Sequence, residues 1–218
     1  MKTTILFDLD GTLIDSTEAI LDSFYYALRN CNAKLVEKEK ILRLIGHPLD
    51  FMFAHLGIKN VDRCVKFYKE RYRLISKEKT HLLPGAKEAV EIAAQFAALG
   101  VVTTKTGLYS KELLEHLGLM HHFGVLIGRE DVVHPKPDPE PILKAMHHLD
   151  ARLEHTWMVG DTCLDMHAAK SAGIGSIAVS CGYASVEELG RCAHIVKRNA
   201  LDAVTFLQRR ESFVDKSK

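Results

Sequence analysis

A few carboxylates, hydroxyls and a lysine stand where this chain could do chemistry. Asp8 and Asp10 lie two residues apart in Asp8-Leu9-Asp10-Gly11-Thr12, just after the run Thr3-Thr4-Ile5-Leu6-Phe7. Thr103, Thr104 and Lys105 close a second apolar run, Val101-Val102. Lys136 sits in Pro135-Lys136-Pro137-Asp138-Pro139, beyond Val125-Leu126-Ile127. Asp161 and Asp165 follow Thr156-Trp157-Met158-Val159, in Gly160-Asp161-Thr162-Cys163-Leu164-Asp165. Open parallel sheets bind ligands beyond the carboxyl ends of their strands, so these groups are expected on one edge. Crowded carboxylates repel and call for a cation or shared protons. The donors are all oxygen, which favours a hard divalent ion such as Mg²⁺. An ion held that way keeps positions open for phosphate oxygens. Thr103 is expected to donate to one of them, helped by a helix starting just after it. Lys136 is expected to set positive charge beside a transferring group. Each piece alone has a plainer reading, a turn for D-x-D and a solvated loop for the lysine. Their succession at consecutive strand ends is the specific signal.

These positions need elements to hold them. The β-branched and aromatic residues 3–7 read as a buried strand. Residues 16–79 change texture: Ala19, Ile20, Phe24, Ala27, Leu28 and Cys31 recur at helical spacing, as do Val61, Cys64, Val65, Tyr68, Tyr72 and Ile75. Two shorter helices are expected at 38–45 and 49–56, separated by Gly46-His47-Pro48. From Pro84 onward strands and helices alternate. A helix is expected to run to about Leu99 with Gly100 as its C-terminal cap, followed by a strand at 101–103. Further strands are expected at 125–127, 156–159 and 176–179, with a weak one at 194–196. Alternation of this kind marks a parallel sheet covered on both faces. The fold class is therefore α/β, a Rossmann-like parallel core with an inserted all-α module. Residues 1–15 and 80–218 form the core, and 16–79 the helical insertion.

The motifs resemble those of the haloacid dehalogenase superfamily, in its phosphatase branch. D-x-D-G-T matches residues 8–12, a strand ending in Thr matches Val101-Val102-Thr103, the lysine with Pro-x-Pro matches 136–139, and G-D-x-x-x-D matches 160–165. The resemblance covers the chain up to about Arg209 and is strongest toward phosphoglycolate phosphatases and related bacterial pyrophosphatases. It implies Asp8 as nucleophile and Asp10 as acid and base. It implies Mg²⁺ on Asp8, the Asp10 backbone carbonyl and Asp161, with Asp165 orienting the metal's waters or Lys136 from behind. Thr103, Thr104 and Lys136 become the phosphate-binding residues. Thr104 is a departure, because relatives commonly carry Asn there. The insertion resembles the family's cap, and His47 in its glycine loop is expected to contact the leaving group through a charge-assisted hydrogen bond. Sugar phosphomutases of the superfamily use a cap His and Arg where this chain has Ile20 and Leu49. Dehalogenases lack the second acid that Asp10 supplies. A receiver domain would be shorter and would carry no cap.

Bulk properties fit a small-molecule enzyme. The chain has 218 residues, 47% hydrophobic and 26% charged, with formal net charge +1. That composition excludes wholesale disorder, and the charge lacks the field of a nucleic-acid binder. No run is long enough to span a bilayer, and Asp8 and Asp10 interrupt the N-terminal apolar stretch too early for a signal peptide. A cytoplasmic protein acting on a small phosphorylated metabolite is expected. Five cysteines at 31, 64, 163, 181 and 192 form no C-x-x-C pair, so they are expected to be reduced thiols. Gly173-Ile174-Gly175 has dinucleotide-loop spacing, but a helix precedes it and a strand follows, so Gly173 is expected to cap the helix. The pairs His121-His122 and His147-His148 are not expected to bind metal. Arg209, Arg210, Lys216 and Lys218 are expected in a solvated tail.

Overall fold

A computed structural model describes residues 3–215, with side chains described through Glu211. Five parallel pairings join six strands into one sheet. These strands are β1 (Thr3–Phe7), β4 (Ala97–Val102), β5 (Val125–Ile127), β6 (Thr156–Gly160), β7 (Gly175–Val179) and β8 (Val196–Lys197). Their order across the sheet is β5-β4-β1-β6-β7-β8, with β1 near the centre. Successive side chains of a strand point to opposite faces. Ile5 and Phe7 therefore join one core with α5 (Ala86–Phe96), α6 (Gly107–His116) and α10 (Ala200–Asp215). Leu6 joins a second core with Met158, α7 (Glu140–His148) and α8 (Cys163–Ala172). Burial on both faces explains why these strands are apolar runs with little alternation.

The helical segment leaves and returns through a two-stranded ribbon that the sequence did not reveal. Its strands are β2 (Ile14–Asp15) and β3 (His81–Leu82), paired antiparallel. Between them lie α1 (Thr17–Asn30), α2 (Lys38–Leu42), α3 (Leu49–His55) and α4 (Val61–Ile75). The apolar stripes of α1 and α4 face each other, with Phe24 stacked on Phe53 at 4.3 Å and edge-on to Tyr68 at 5.6 Å. Aromatic pairs of this geometry contribute about 0.5–1.5 kcal/mol each beyond their buried area. Asp22 of α1 accepts from Arg71 at 2.8 Å and Lys79 at 2.8 Å, tying the first helix to the end of the fourth.

Two sequence expectations need correction. The helix of residues 86–96 stops at Phe96, and Gly100 lies inside β4, paired with Leu6 and Val125. A Cβ at Gly100 would stand 2.8 Å from both of those side chains, so the glycine serves close strand packing. The run Ala97-Ala98-Leu99 has no decisive period, and tertiary pairing overrode its helical look. The cysteines are not all free thiols: Cys31 is bonded to Cys64, and Cys163 to Cys192, leaving Cys181 alone. Pairs 33 and 29 residues apart are brought together by helix packing, which no local spacing rule detects. At the end of the chain Arg209 and Arg210 are exposed, as expected of a solvated tail. α10 runs to Asp215, and Arg210 lies over the Trp157 ring at 5.0 Å. Lys216 and Lys218 lie outside the described residues. Gly173 does cap α8, with φ +75°.

Candidate active site

The loop after β1 brings two acids to the sheet edge. Leu9 is fully buried and its carbonyl accepts the amides of Leu13 and Ile14 at 2.9 and 3.1 Å. Gly11 has φ +77°, and a Cβ there would stand 2.2 Å from Asp161 Oδ2. Only glycine fits a positive φ with so close an approach.

Lys136 is the hub, 2% exposed. Its ammonium donates to Asp8 Oδ1 at 2.9 Å, Asp165 Oδ1 at 2.5 Å and the Val102 carbonyl at 3.0 Å. Asp8, Asp161 and Asp165 are all buried, with carboxylate oxygens within 4.8 Å of one another. At an effective dielectric near 20, two charges that close repel by about 3 kcal/mol or more. Three carboxylates against one ammonium leave two buried negative charges, which one divalent cation would offset. The residues present therefore fit a hard metal ion. Burial pushes Asp8 up to about 7, against the downward pull of Lys136. Burial, then Asp8 and Asp165, raises Asp161 well above the usual carboxylate range. Lys136 is raised despite its desolvation, because Asp165 and Asp8 favour the ammonium.

The two acids after β6 are held differently. Asp161 accepts from the Thr12 hydroxyl at 3.1 Å and the Tyr183 amide at 2.8 Å. Asp165 has both oxygens engaged, one by Lys136 and the other by the amide and hydroxyl of Thr162 at 3.1 and 2.8 Å. It thus spans the start of α8 and the lysine.

Asp10 faces away from this group. Its carboxylate accepts from Ser16 and pairs with Lys105 at 3.0 Å. Lys105 also lies 4.5 Å from the Tyr72 ring centroid. Around Asp10 opens a cavity of about 320 Å³ between the helical segment and the sheet edge, lined also by His47, Tyr72, Thr104 and Lys105. A larger cleft of about 900 Å³, lined by residues 31–60, touches none of the site residues.

Thr103 and Thr104, expected to bind phosphate, lie just beyond β4. Thr103 is buried at the end of β4, its hydroxyl oxygen accepting from the Lys105 amide at 3.2 Å. Thr104 instead donates its hydroxyl to the Gly46 carbonyl at 2.8 Å, tying the helical segment to the sheet edge. The N-terminus of α6 was expected to assist a phosphate. Its first amides, Gly107 and Leu108, donate to Glu130 at 2.9 and 3.4 Å, so a side chain already occupies that end. His47 does reach the cavity, stacked on Phe51 at 4.5 Å. Burial, and after it His55, holds its pKa below the ordinary value. Neither histidine pair joins the acidic group.

The sequence pointed to no role for Lys105, Ser16, Gly182 or Tyr183. Lys105 was visible at a strand end, but only folding shows that it meets Asp10. Gly182 and Tyr183 follow β7, and scanning that strand's end as well would have found them. A Cβ at Gly182 would stand 2.1 Å from Asp161 Oδ2.

With this geometry in view, comparison with known proteins is informative. A family model described as haloacid dehalogenase-like hydrolase matches residues 5–179. “Probable phosphatase IndB” of Dickeya dadantii is 35% identical over 197 residues, 87% of this chain and 86% of that protein. “Pyrophosphatase PpaX” of Bacillus mycoides is 35% identical over 178 residues, covering 81% and 83%. A solved haloacid dehalogenase-like hydrolase from Bacteroides fragilis superposes with TM-score 0.86 at 28% identity, covering 93% of this chain and 100% of that one. The motif order, the sheet and these relatives converge: the chain belongs to the haloacid dehalogenase-like hydrolase family, as an enzyme of its phosphatase type.

Proposed function

We propose that this chain hydrolyses small phosphate monoesters with Mg²⁺, through an aspartyl-phosphate formed on Asp8. The observation that carries this reading is the Asp8–Lys136–Asp165 hub beside Asp161, with Asp10 facing the adjoining cavity. Asp8 attacks phosphorus in line, and the bond from phosphorus to the leaving oxygen breaks. Asp10 delivers a proton to that oxygen. It then takes one from the water that attacks the acyl phosphate, releasing phosphate and free Asp8. Lys105 and Ser16 orient Asp10 for both steps. Lys136 and Thr103 hold the phosphoryl oxygens as charge redistributes. Asp165 positions Lys136, and Thr104 holds the Gly46 loop over the site. Mg²⁺ on Asp8, Asp161 and the Asp10 carbonyl would supply Lewis-acid charge to the phosphoryl oxygens. Residues 16–79 act as a cap whose closure excludes water during the first half-reaction.

The resemblance favours a phosphoglycolate phosphatase-like enzyme. The pyrophosphatase reading is supported by the relatives named PpaX. The partner is a small phosphorylated metabolite, and the net charge of +1 supports neither nucleic acid nor an anionic membrane. Among the described residues no helix is long and apolar enough to cross a membrane. The test is rapid-quench trapping of the phosphoenzyme with p-nitrophenyl phosphate and Mg²⁺. Asp8→Asn should abolish both turnover and the acid-labile label while the fold remains. Turnover equal to wild type in a deamidation-free preparation refutes the covalent mechanism.

A further inference from the structure

We propose that the substrate's leaving group is an uncharged alcohol or phenol with an apolar body, in preference to glycolate or a second phosphate. This inference rests on the phosphatase reading above and refines it. The cavity beside Asp10 is where a leaving group would sit, because Asp10 is the group that would protonate it.

Charge is the first argument. Among the residues lining this cavity, the cations are Lys69, Lys105 and Arg129, and the carboxylates are Asp10, Asp50 and Asp62. The two sets balance. Lys105 is already paired with Asp10 at 3.0 Å, and Arg129 faces Asp50 at 3.8 Å. His47 adds a stacked imidazole held below its ordinary pKa by burial. With Asp10 holding the proton it would deliver, Lys105 is the one cation left over, so a second phosphate with its two charges would enter without enough positive charge to replace its hydration, and an anion without a partner is costly to desolvate.

The surface itself is the second argument. Ile20, Leu49, Met52 and Val65 line the cavity together with Tyr68 and Tyr72. Tyr68 and Tyr72 stack at 5.6 Å, and Tyr109 stands 6.0 Å beyond Tyr72. Apolar and aromatic walls with a few placed polar groups are the usual character of pockets for organic ligands.

Size is the third. The cavity holds about 320 Å³, roughly ten times the volume of a water molecule in the liquid. Glycolate or a phosphate is a few water volumes at most and would leave much of it filled with water. A ring-bearing alcohol would exclude that water and gain about 25 cal/mol per Å² of apolar surface buried.

The experiment compares two unactivated alkyl phosphates with pyrophosphate, whose better leaving group works against the expected order. Phosphate release by the full chain with saturating Mg²⁺ is measured for 2-phenylethyl phosphate, phosphoglycolate and pyrophosphate, with p-nitrophenyl phosphate as the general phosphatase probe. The expected result is a kcat/KM for 2-phenylethyl phosphate at least tenfold above the other two. Val65→Lys, which places a cation on the apolar wall, should shrink that ratio by tenfold or more through KM. Phosphoglycolate or pyrophosphate turned over as well as 2-phenylethyl phosphate overturns this inference and leaves the phosphatase reading standing. No release from any substrate, p-nitrophenyl phosphate included, overturns the phosphatase reading and this one with it.

Discussion

Replacing Lys136 by methionine keeps the stem out to Cε and removes the ammonium with its hydrogen bonds. In the wild type the ammonium is 2% exposed and donates to Asp8 at 2.9 Å, Asp165 at 2.5 Å and Val102 at 3.0 Å. Its loss leaves two buried carboxylates without their shared cation. Breaking a buried ion pair from one side costs about 3–5 kcal/mol. For a chain of this length each kcal/mol moves Tm by about 2–4 °C, so the expected loss is about 6–20 °C. The loss should depend on pH in a defined direction. Asp8 is already raised to about 7, with Lys136 pulling it down, so without the lysine it rises further. An acid whose folded-state pKa exceeds its unfolded value near 3.9 subtracts stability as pH climbs toward the folded value. In EDTA, Lys136→Met should therefore lie nearer to wild type at pH 5 than at pH 8. Adding Mg²⁺ at pH 8 should raise the variant's Tm more than the wild type's, because the ion enters a more negative site. Turnover should fall by about 10²–10³. Calorimetry at the two pH values checks the stability claim. A Tm within 2 °C of wild type at pH 8, or an equal loss at pH 5 and 8, refutes the charge argument.

The two acids after β6 should separate in a Mg²⁺ titration: Asp161→Ala weakens binding far more than Asp165→Ala, whose oxygens are engaged by Lys136 and Thr162. Equal losses by calorimetric titration would mean that both bind the ion directly. In the helical segment, the Arg71 hydrogen bond, backed by Lys79, holds Asp22 down at about 2. Discounted for the solvent screening of a partly exposed pair, Asp22→Asn should cost about 1 kcal/mol at pH 7. That difference should shrink as pH falls from about 4 toward 2, and urea unfolding showing a constant difference would refute it.

The elements most legible in the sequence were those whose physical signature is local. Apolar runs ending in acids located β1 and β6, because a strand buried on both faces must be apolar and its end must reach solvent or ligand. Glycines at 11 and 173 marked positive-φ turns, and the apolar stripes of α1 and α4 appeared at helical spacing. Asp8, Asp10, Lys136, Asp161 and Asp165 were found the same way, since a strand end is a place in the sequence as well as in space. Only the tertiary structure decided which of them meet. Lys136 joins Asp8 and Asp165 across 128 and 29 residues, while Asp10, two positions from Asp8, turns to Lys105 instead. Residues 97–100 became a strand because β1 offered a partner to each of them and β5 joined at Gly100, and the cysteines paired because separate helices packed. Folding also gave Thr104 the Gly46 carbonyl and the start of α6 the Glu130 carboxylate as hydrogen-bond partners, pairings no local pattern announces. A sequence shows which groups can donate and accept. The competition among them for each hydrogen bond is settled by distance, and distance exists only after folding.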